Sequence, residues 1–183
     1  MMSYKRAMSD LVQHNFETLI GAEKIAARIK TLCDEITPRL DDDAIVIGLL
    51  QGAFIFMADI MRGLAQNGKI PATDFLWLSS YGDGQVSGRL NVLADLQRPI
   101  NGRQVLLVDD VYDTGKTLVF AKDYLKAKGA KEVLTCLLAR KPLAAELPPL
   151  DFCGFDLPDV FLVGYGLDDG GSGRGLGDIC VKK

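Results

Sequence analysis

The chain has 183 residues, 48% of them hydrophobic, with 21 Lys and Arg against 24 Asp and Glu and a net charge of −3. That is enough chain for one hydrophobic core and too little for two full domains, and the slightly acidic balance excludes the broad basic surface that nucleic-acid binding needs. No apolar run approaches the roughly 20 residues of a membrane span, the first ten residues hold no apolar signal core, and Cys33, Cys136, Cys153 and Cys180 lie too far apart for metal-ligand spacing. A cytoplasmic protein with reduced, structural thiols is expected. The single histidine, His14, makes an imidazole-dependent triad an unpromising reading.

In chain order, Ile25, Ile29, Leu32 and Ile36 recur at helical spacing among charged residues and predict a helix over 22–36. Residues 44–50 are a continuous, β-branched apolar run, the mark of a strand covered on both faces. Gln51-Gly52 turns the chain, and helical spacing resumes over 54–66 until Asn67-Gly68 stops it. A second strand is predicted over 74–80 and a mobile, Gly-rich polar loop over 81–89. After the Asn101-Gly102 turn come a buried strand over 104–108, a loop over 109–115 and a helix over 116–128 closed by Gly129. A strand over 133–139, a connection containing Pro142, Pro148 and Pro149, and a last strand over 160–165 follow. Residues 170–177 are dominated by glycine, and no internal repeat is present.

Alternating strands and helices predict an α/β protein with a central parallel sheet flanked by helices. Ligands of such sheets bind beyond the carboxyl ends of the strands, so Gln51, the 109–115 loop, Lys141 and Asp168 should gather at one edge.

Residues 105–117 carry the strongest chemical signal. An apolar strand delivers Asp109 and Asp110 to its end, and Thr114, Gly115, Lys116 and Thr117 follow at a helix start. Unpaired backbone N–H groups and the helix dipole favour an anion there, and Gly115 allows close approach, so the segment suits one phosphate. The carboxylates would repel that phosphate but suit the cis-diol of an attached sugar. Asp113 stands apart from the pair, within reach of a reacting base. A P-loop needs glycine where Asp110 stands, and is rejected.

These residues resemble the phosphoribosyl pyrophosphate motif of the type I phosphoribosyltransferases, and more narrowly the hypoxanthine-guanine branch. The likeness runs from about residue 18 to 182 and includes 50–59, Ser79-Ser80-Tyr81-Gly82, Arg140-Lys141-Pro142 and 158–168. The resemblance implies one domain over 1–183 with the type I fold, including a small hood built from the N-terminal segment and about 142–183. It implies a magnesium-dependent, reversible reaction of phosphoribosyl pyrophosphate with hypoxanthine or guanine, giving IMP or GMP and pyrophosphate. Asp109 and Asp110 would hold the ribose hydroxyls, residues 113–117 the 5′-phosphate, and Asp113 would be the acid/base at purine N7. Lys141 would meet purine O6, Phe161 would stack on the ring, and main-chain carbonyls near Leu162 and Asp168 would read position 2. Gln51-Gly52 and Arg174 would face pyrophosphate, Asp109, Asp110 and Asp168 the metal, and Ser80 and Tyr81 would belong to a closing lid. The family usually has a basic residue where this chain has Gln51. A homodimer or homotetramer without membrane or nucleic-acid partners is implied. A phosphoribosyltransferase for xanthine or another base, and a nucleotide-sensing regulator of nucleic acid on the same fold, are the alternatives.

Overall fold

The computed structural model describes residues 16–81, 89–142 and 147–183, and for residues 80, 81 and 89 the backbone alone. His14, most of the predicted 81–89 loop and part of the proline-rich connection lie outside the described residues. A six-stranded sheet forms the centre, in the order β4-β3-β2-β5-β6-β7. Its strands are β2 (Ile45–Leu50), β3 (Ala72–Tyr81), β4 (Arg89–Ala94), β5 (Gln104–Tyr112), β6 (Glu132–Arg140) and β7 (Phe152–Asp156). All neighbours are parallel except β3 and β4.

The helices are α1 (Ala22–Ile36), α2 (Phe54–Gln66) and α3 (Lys116–Ala127). The predicted apolar stripe of α1 is buried: Ile25, Ile29, Leu32 and Ile36, together with Cys33. It packs with Phe56, Met57, Ile60 and Leu64 of α2 against Val46, Leu106, Val108 and Leu134. The alternate residues Ile45, Ile47, Val105 and Leu107 point to the other face, where Leu118, Ala121 and Leu125 of α3 cover them. The continuous apolar run of each central strand is therefore needed by two opposite helix layers, each fully buried side chain contributing about 1.5–3 kcal/mol. No helix among the described residues is long and apolar enough to cross a membrane.

A second, three-stranded antiparallel sheet joins the chain ends in the order β1 (Phe16–Ile20), β9 (Ile179–Lys182), β8 (Leu162–Val163). Phe152–Asp156 belongs to the main sheet instead, although the hood was expected to begin near residue 142. Four strands escaped the sequence reading: β1, β4, β7 and β9. Each has four to six residues, too short for an alternation to stand out. Gly154 in β7 fits because a Cβ there would lie 2.3 Å from the Leu138 carbonyl oxygen.

Two predicted strands change length most. The strand predicted over 104–108 continues to Tyr112, paired with β6 through Tyr112 and Arg140, so Asp109 and Asp110 lie on a strand and not in a loop. The strand predicted over 160–165 shrinks to Leu162–Val163. Beyond it, Gly164, Tyr165 and Gly166 all have positive φ (99°, 50° and 101°) and curl the chain back.

Candidate active site

Asp109 and Asp110 stand near the carboxyl end of β5 at the middle of the sheet. Each accepts the next residue's backbone N–H, Asp109 Oδ1 from Asp110 at 2.9 Å and Asp110 Oδ1 from Val111 at 2.6 Å. Burial, and for Asp109 the neighbouring carboxylate as well, push both carboxyls above their ordinary pKa. The pair is thus held in a place where its charge is costly unless donors arrive.

Gly52 lies against this pair. A Cβ there would fall 1.5 Å from Asp110 Oδ2, so only glycine lets the 51–52 turn, which begins with a cis Leu50–Gln51 peptide, approach so closely. Gln51, Gly52, Asp109, Asp110 and Thr117 line a mostly polar cavity of about 250 Å³.

The three-residue turn 113–115 leads into α3. Gly115 occupies its N-cap position with φ 72°, and no side chain caps the helix. The first-turn N–H groups therefore point outward unpaired, beside the Thr114 and Thr117 hydroxyls, while the Lys116 side chain is exposed. Tyr112, donating its hydroxyl to the Pro148 carbonyl at 3.0 Å, backs the turn.

At the end of the neighbouring strand the Lys141 N–H donates to the Tyr112 carbonyl at 3.0 Å. Its side chain is only 15% exposed, and the ammonium lies 3.4 Å from Asp113 Oδ2 and 3.1 Å from Asp159 Oδ1. Burial pulls its pKa down, but Asp159 and Asp113 outweigh burial and hold it above its ordinary value. Phe161 is 55% exposed and so is not a core residue, whereas Leu162 is buried and paired with Val181.

Arg174 is placed by three contacts: an ion pair with Asp168 Oδ1 at 2.7 Å, and hydrogen bonds to the Gly166 carbonyl at 2.6 Å and to Gln51 Oε1 at 3.3 Å. Asp168 also accepts the Gly171 N–H at 2.6 Å. Gln51, remote in sequence, is thereby brought to Asp168 and Arg174. The sequence reading missed what seats them. Tyr165 donates to Asp59 Oδ2 of α2 at 2.6 Å, and a Cβ on Gly166 would lie 2.2 Å from the Gly52 carbonyl oxygen. It also missed Asp159. No local pattern marks either residue, because their partners are remote in the chain.

Asp109, Asp110 and Asp168 do not form a ready-made metal cage. Among the described residues no three acidic, cysteine or histidine side chains gather into a metal-binding cluster.

The Phosphoribosyl transferase domain model matches residues 13–169. The chain belongs to the phosphoribosyltransferase family. The hypoxanthine-guanine phosphoribosyltransferase of Aquifex aeolicus is 39% identical over 178 residues, 95% of this chain and 98% of its own length. The hypoxanthine phosphoribosyltransferase of Escherichia coli is 39% identical over 162 residues, 86% of this chain and 89% of its own. Among solved structures, the Staphylococcus aureus hypoxanthine phosphoribosyltransferase superimposes with a TM-score of 0.87 at 28% identity, covering 94% of this chain and 95% of that one. The Trypanosoma cruzi enzyme in complex with IMP gives 0.83 at 30% identity, covering 91% and 93%.

The buried acid pair gives this phosphoribosyltransferase a testable cost. Both carboxyls bind their proton more tightly folded than unfolded, so stability falls as pH rises from about 4 through the raised folded values. Asp109→Asn keeps an acceptor for the Asp110 N–H and removes one buried charge. Differential scanning calorimetry of the ligand-free protein should show Asp109→Asn melting higher than the unaltered protein at pH 7, with the gap closing toward pH 4. A gap that is absent or independent of pH would count against the raised pKa.

Proposed function

We propose that the protein is a purine-salvage enzyme that transfers the phosphoribosyl group of phosphoribosyl pyrophosphate to hypoxanthine or guanine, giving IMP or GMP and pyrophosphate. The carrying observation is the 3.4 Å pair of Asp113 and Lys141 beside an uncapped helix start. A carboxylate able to take a proton and an ammonium able only to donate stand next to a phosphate cradle, as a 6-oxopurine nucleotide requires. Likeness to hypoxanthine phosphoribosyltransferases over nearly the whole chain supports the same reading.

The 5′-phosphate takes the N–H groups and hydroxyls of residues 113–117. The ribose diol donates to Asp109 and Asp110 and supplies the partners this buried pair lacks. As pyrophosphate leaves, positive charge grows on the ribose, and the fixed carboxylates favour it. Asp113 hydrogen-bonds to purine N7 and takes its proton, Lys141 donates to O6, and Phe161, exposed at the mouth, covers the ring. Main-chain carbonyls near Leu162 and Asp168 meet position 2.

Magnesium fits this donor set as an ion shared with substrate, since it commonly uses one or two carboxylates plus phosphate oxygens. Asp168, or the Asp109–Asp110 pair by way of the ribose, would hold it, and it would neutralise the leaving group. Ser80 and Tyr81, ending β3, begin the lid, and the β1-β9-β8 sheet is the hood. The protein works in the cytoplasm as a homodimer or homotetramer.

The deciding experiment is turnover with phosphoribosyl pyrophosphate, magnesium and each of hypoxanthine, guanine, xanthine and adenine. Hypoxanthine and guanine are the expected substrates. Turnover of xanthine or adenine alone would reassign the base, and no nucleotide from any base would leave a nucleotide-sensing regulator.

Gln51 shapes pyrophosphate binding. Its amide oxygen accepts from Arg174 and brings no charge. Gln51→Lys places a second cation beside Arg174, a repulsion that entering pyrophosphate relieves. Product inhibition by pyrophosphate should be tighter in the lysine form, and equal or weaker inhibition would show that residue 51 acts through Arg174 alone.

A further inference from the structure

We propose that Asp159 is the positioning residue of the base site: it holds the Lys141 ammonium on purine O6 while Asp113 is engaged with N7. The inference rests on the purine-transfer reading above. Lys141 is buried enough to require a counter-charge, and it has two, from different elements. Asp113, the longer contact at 3.4 Å, belongs to the turn before α3; Asp159, at 3.1 Å, belongs to the segment between β7 and β8.

The frame around Asp159 is built to keep that distance. The Leu157 N–H donates to the Arg140 carbonyl at 2.9 Å, one residue before Lys141, and the Val160 N–H closes a tight turn on the Pro158 carbonyl at 2.9 Å. Arg140 and Asp156 are register partners across β6 and β7 and form their own ion pair at 2.7 Å. Among the described residues, Arg140 and Asp156 thus satisfy each other, and the ion pairs of Lys141 are with Asp113 and Asp159. The backbone of Asp159 is anchored to the same strand end that carries Lys141.

The division of labour follows from charge. When Asp113 takes the N7 proton it stops being an anion, and a desolvated ammonium whose sole partner was Asp113 would lose its compensation during the reaction. Asp159, 56% exposed and on a different segment from Asp113, takes no part in that proton transfer. It also leaves one of the three ammonium donors for O6. Without it, Lys141 would be drawn wholly to Asp113 and would compete with the purine for that carboxylate.

The test is steady-state kinetics of Asp159→Asn and Asp159→Glu, with phosphoribosyl pyrophosphate and hypoxanthine varied in turn. In Asp159→Asn the KM for hypoxanthine should rise about three- to fivefold, the worth of one half-exposed charge pair, and the KM for phosphoribosyl pyrophosphate should stay within about twofold. Asp159→Glu should bring the hypoxanthine KM back to within about twofold of the unaltered enzyme. An unchanged hypoxanthine KM in Asp159→Asn, an equal rise in both KM values, or a glutamate form no better than the asparagine form overturns the proposal. Unaltered protein that makes no nucleotide from any purine overturns the purine-transfer reading itself, and the role of Asp159 with it.

Discussion

Asp113→Asn should lower kcat for IMP formation by about 10²–10⁴-fold, the usual worth of a positioned acid/base, while leaving the KM for phosphoribosyl pyrophosphate within about threefold. The substitution is nearly isosteric. Asparagine keeps an oxygen for the Lys141 ammonium now 3.4 Å from Asp113 Oδ2, and Lys141 retains Asp159 at 3.1 Å. The Asp113 side chain is 45% exposed, so removing its charge does little to the fold. The proposed phosphate cradle is equally preserved, because the backbone N–H groups and the Thr114 and Thr117 hydroxyls assigned to it are untouched by the substitution. What disappears is the capacity to take a proton from N7. The loss should therefore appear in single-turnover chemistry as well as in steady state, and near-normal turnover on hypoxanthine would remove Asp113 from the mechanism.

Lys141→Gln should reduce kcat/KM for hypoxanthine and narrow its advantage over adenine by about 10- to 100-fold, the range expected when one hydrogen bond from a charged donor is lost. An ammonium offers only donors. It matches the O6 acceptor of hypoxanthine or guanine, and against the amino group of adenine it would face hydrogens with a desolvated charge. Glutamine offers a donor and an acceptor and no longer discriminates as sharply. Its arrival also leaves Asp113 and Asp159 without a shared cation, so part of the fall in hypoxanthine efficiency comes from their repulsion. The ratio of the two kcat/KM values isolates the reading of position 6 from that general loss. A folded variant with an unchanged ratio would show that Lys141 does not select the base.

The class of fold and the strand–turn–helix over 105–127 were legible along the chain. The apolar runs at 45–50 and 105–108 had to be buried on both faces because no polar residue interrupts them, and α1 and α2 could be read end to end because their apolar stripes repeat every three or four residues. The turn proposed to hold phosphate was legible for a related reason: Asp113, Thr114, Gly115 and Thr117 lie within five residues of one another. Other features exist only in the folded chain. Whether Asp109 and Asp110 ended a strand or opened a loop depended on β6 pairing as far as Arg140, which no feature of residues 109–112 announces. Strands of four to six residues at the sheet edge and chain ends acquire their identity from a partner, because they are too short to show a period. The contacts of Asp159 with Lys141, of Gln51 with Arg174 and of Tyr165 with Asp59 join residues 18 to 123 positions apart. Charge and shape at such separations are invisible along the chain, since each pair exists only where the folded backbone brings two remote segments together.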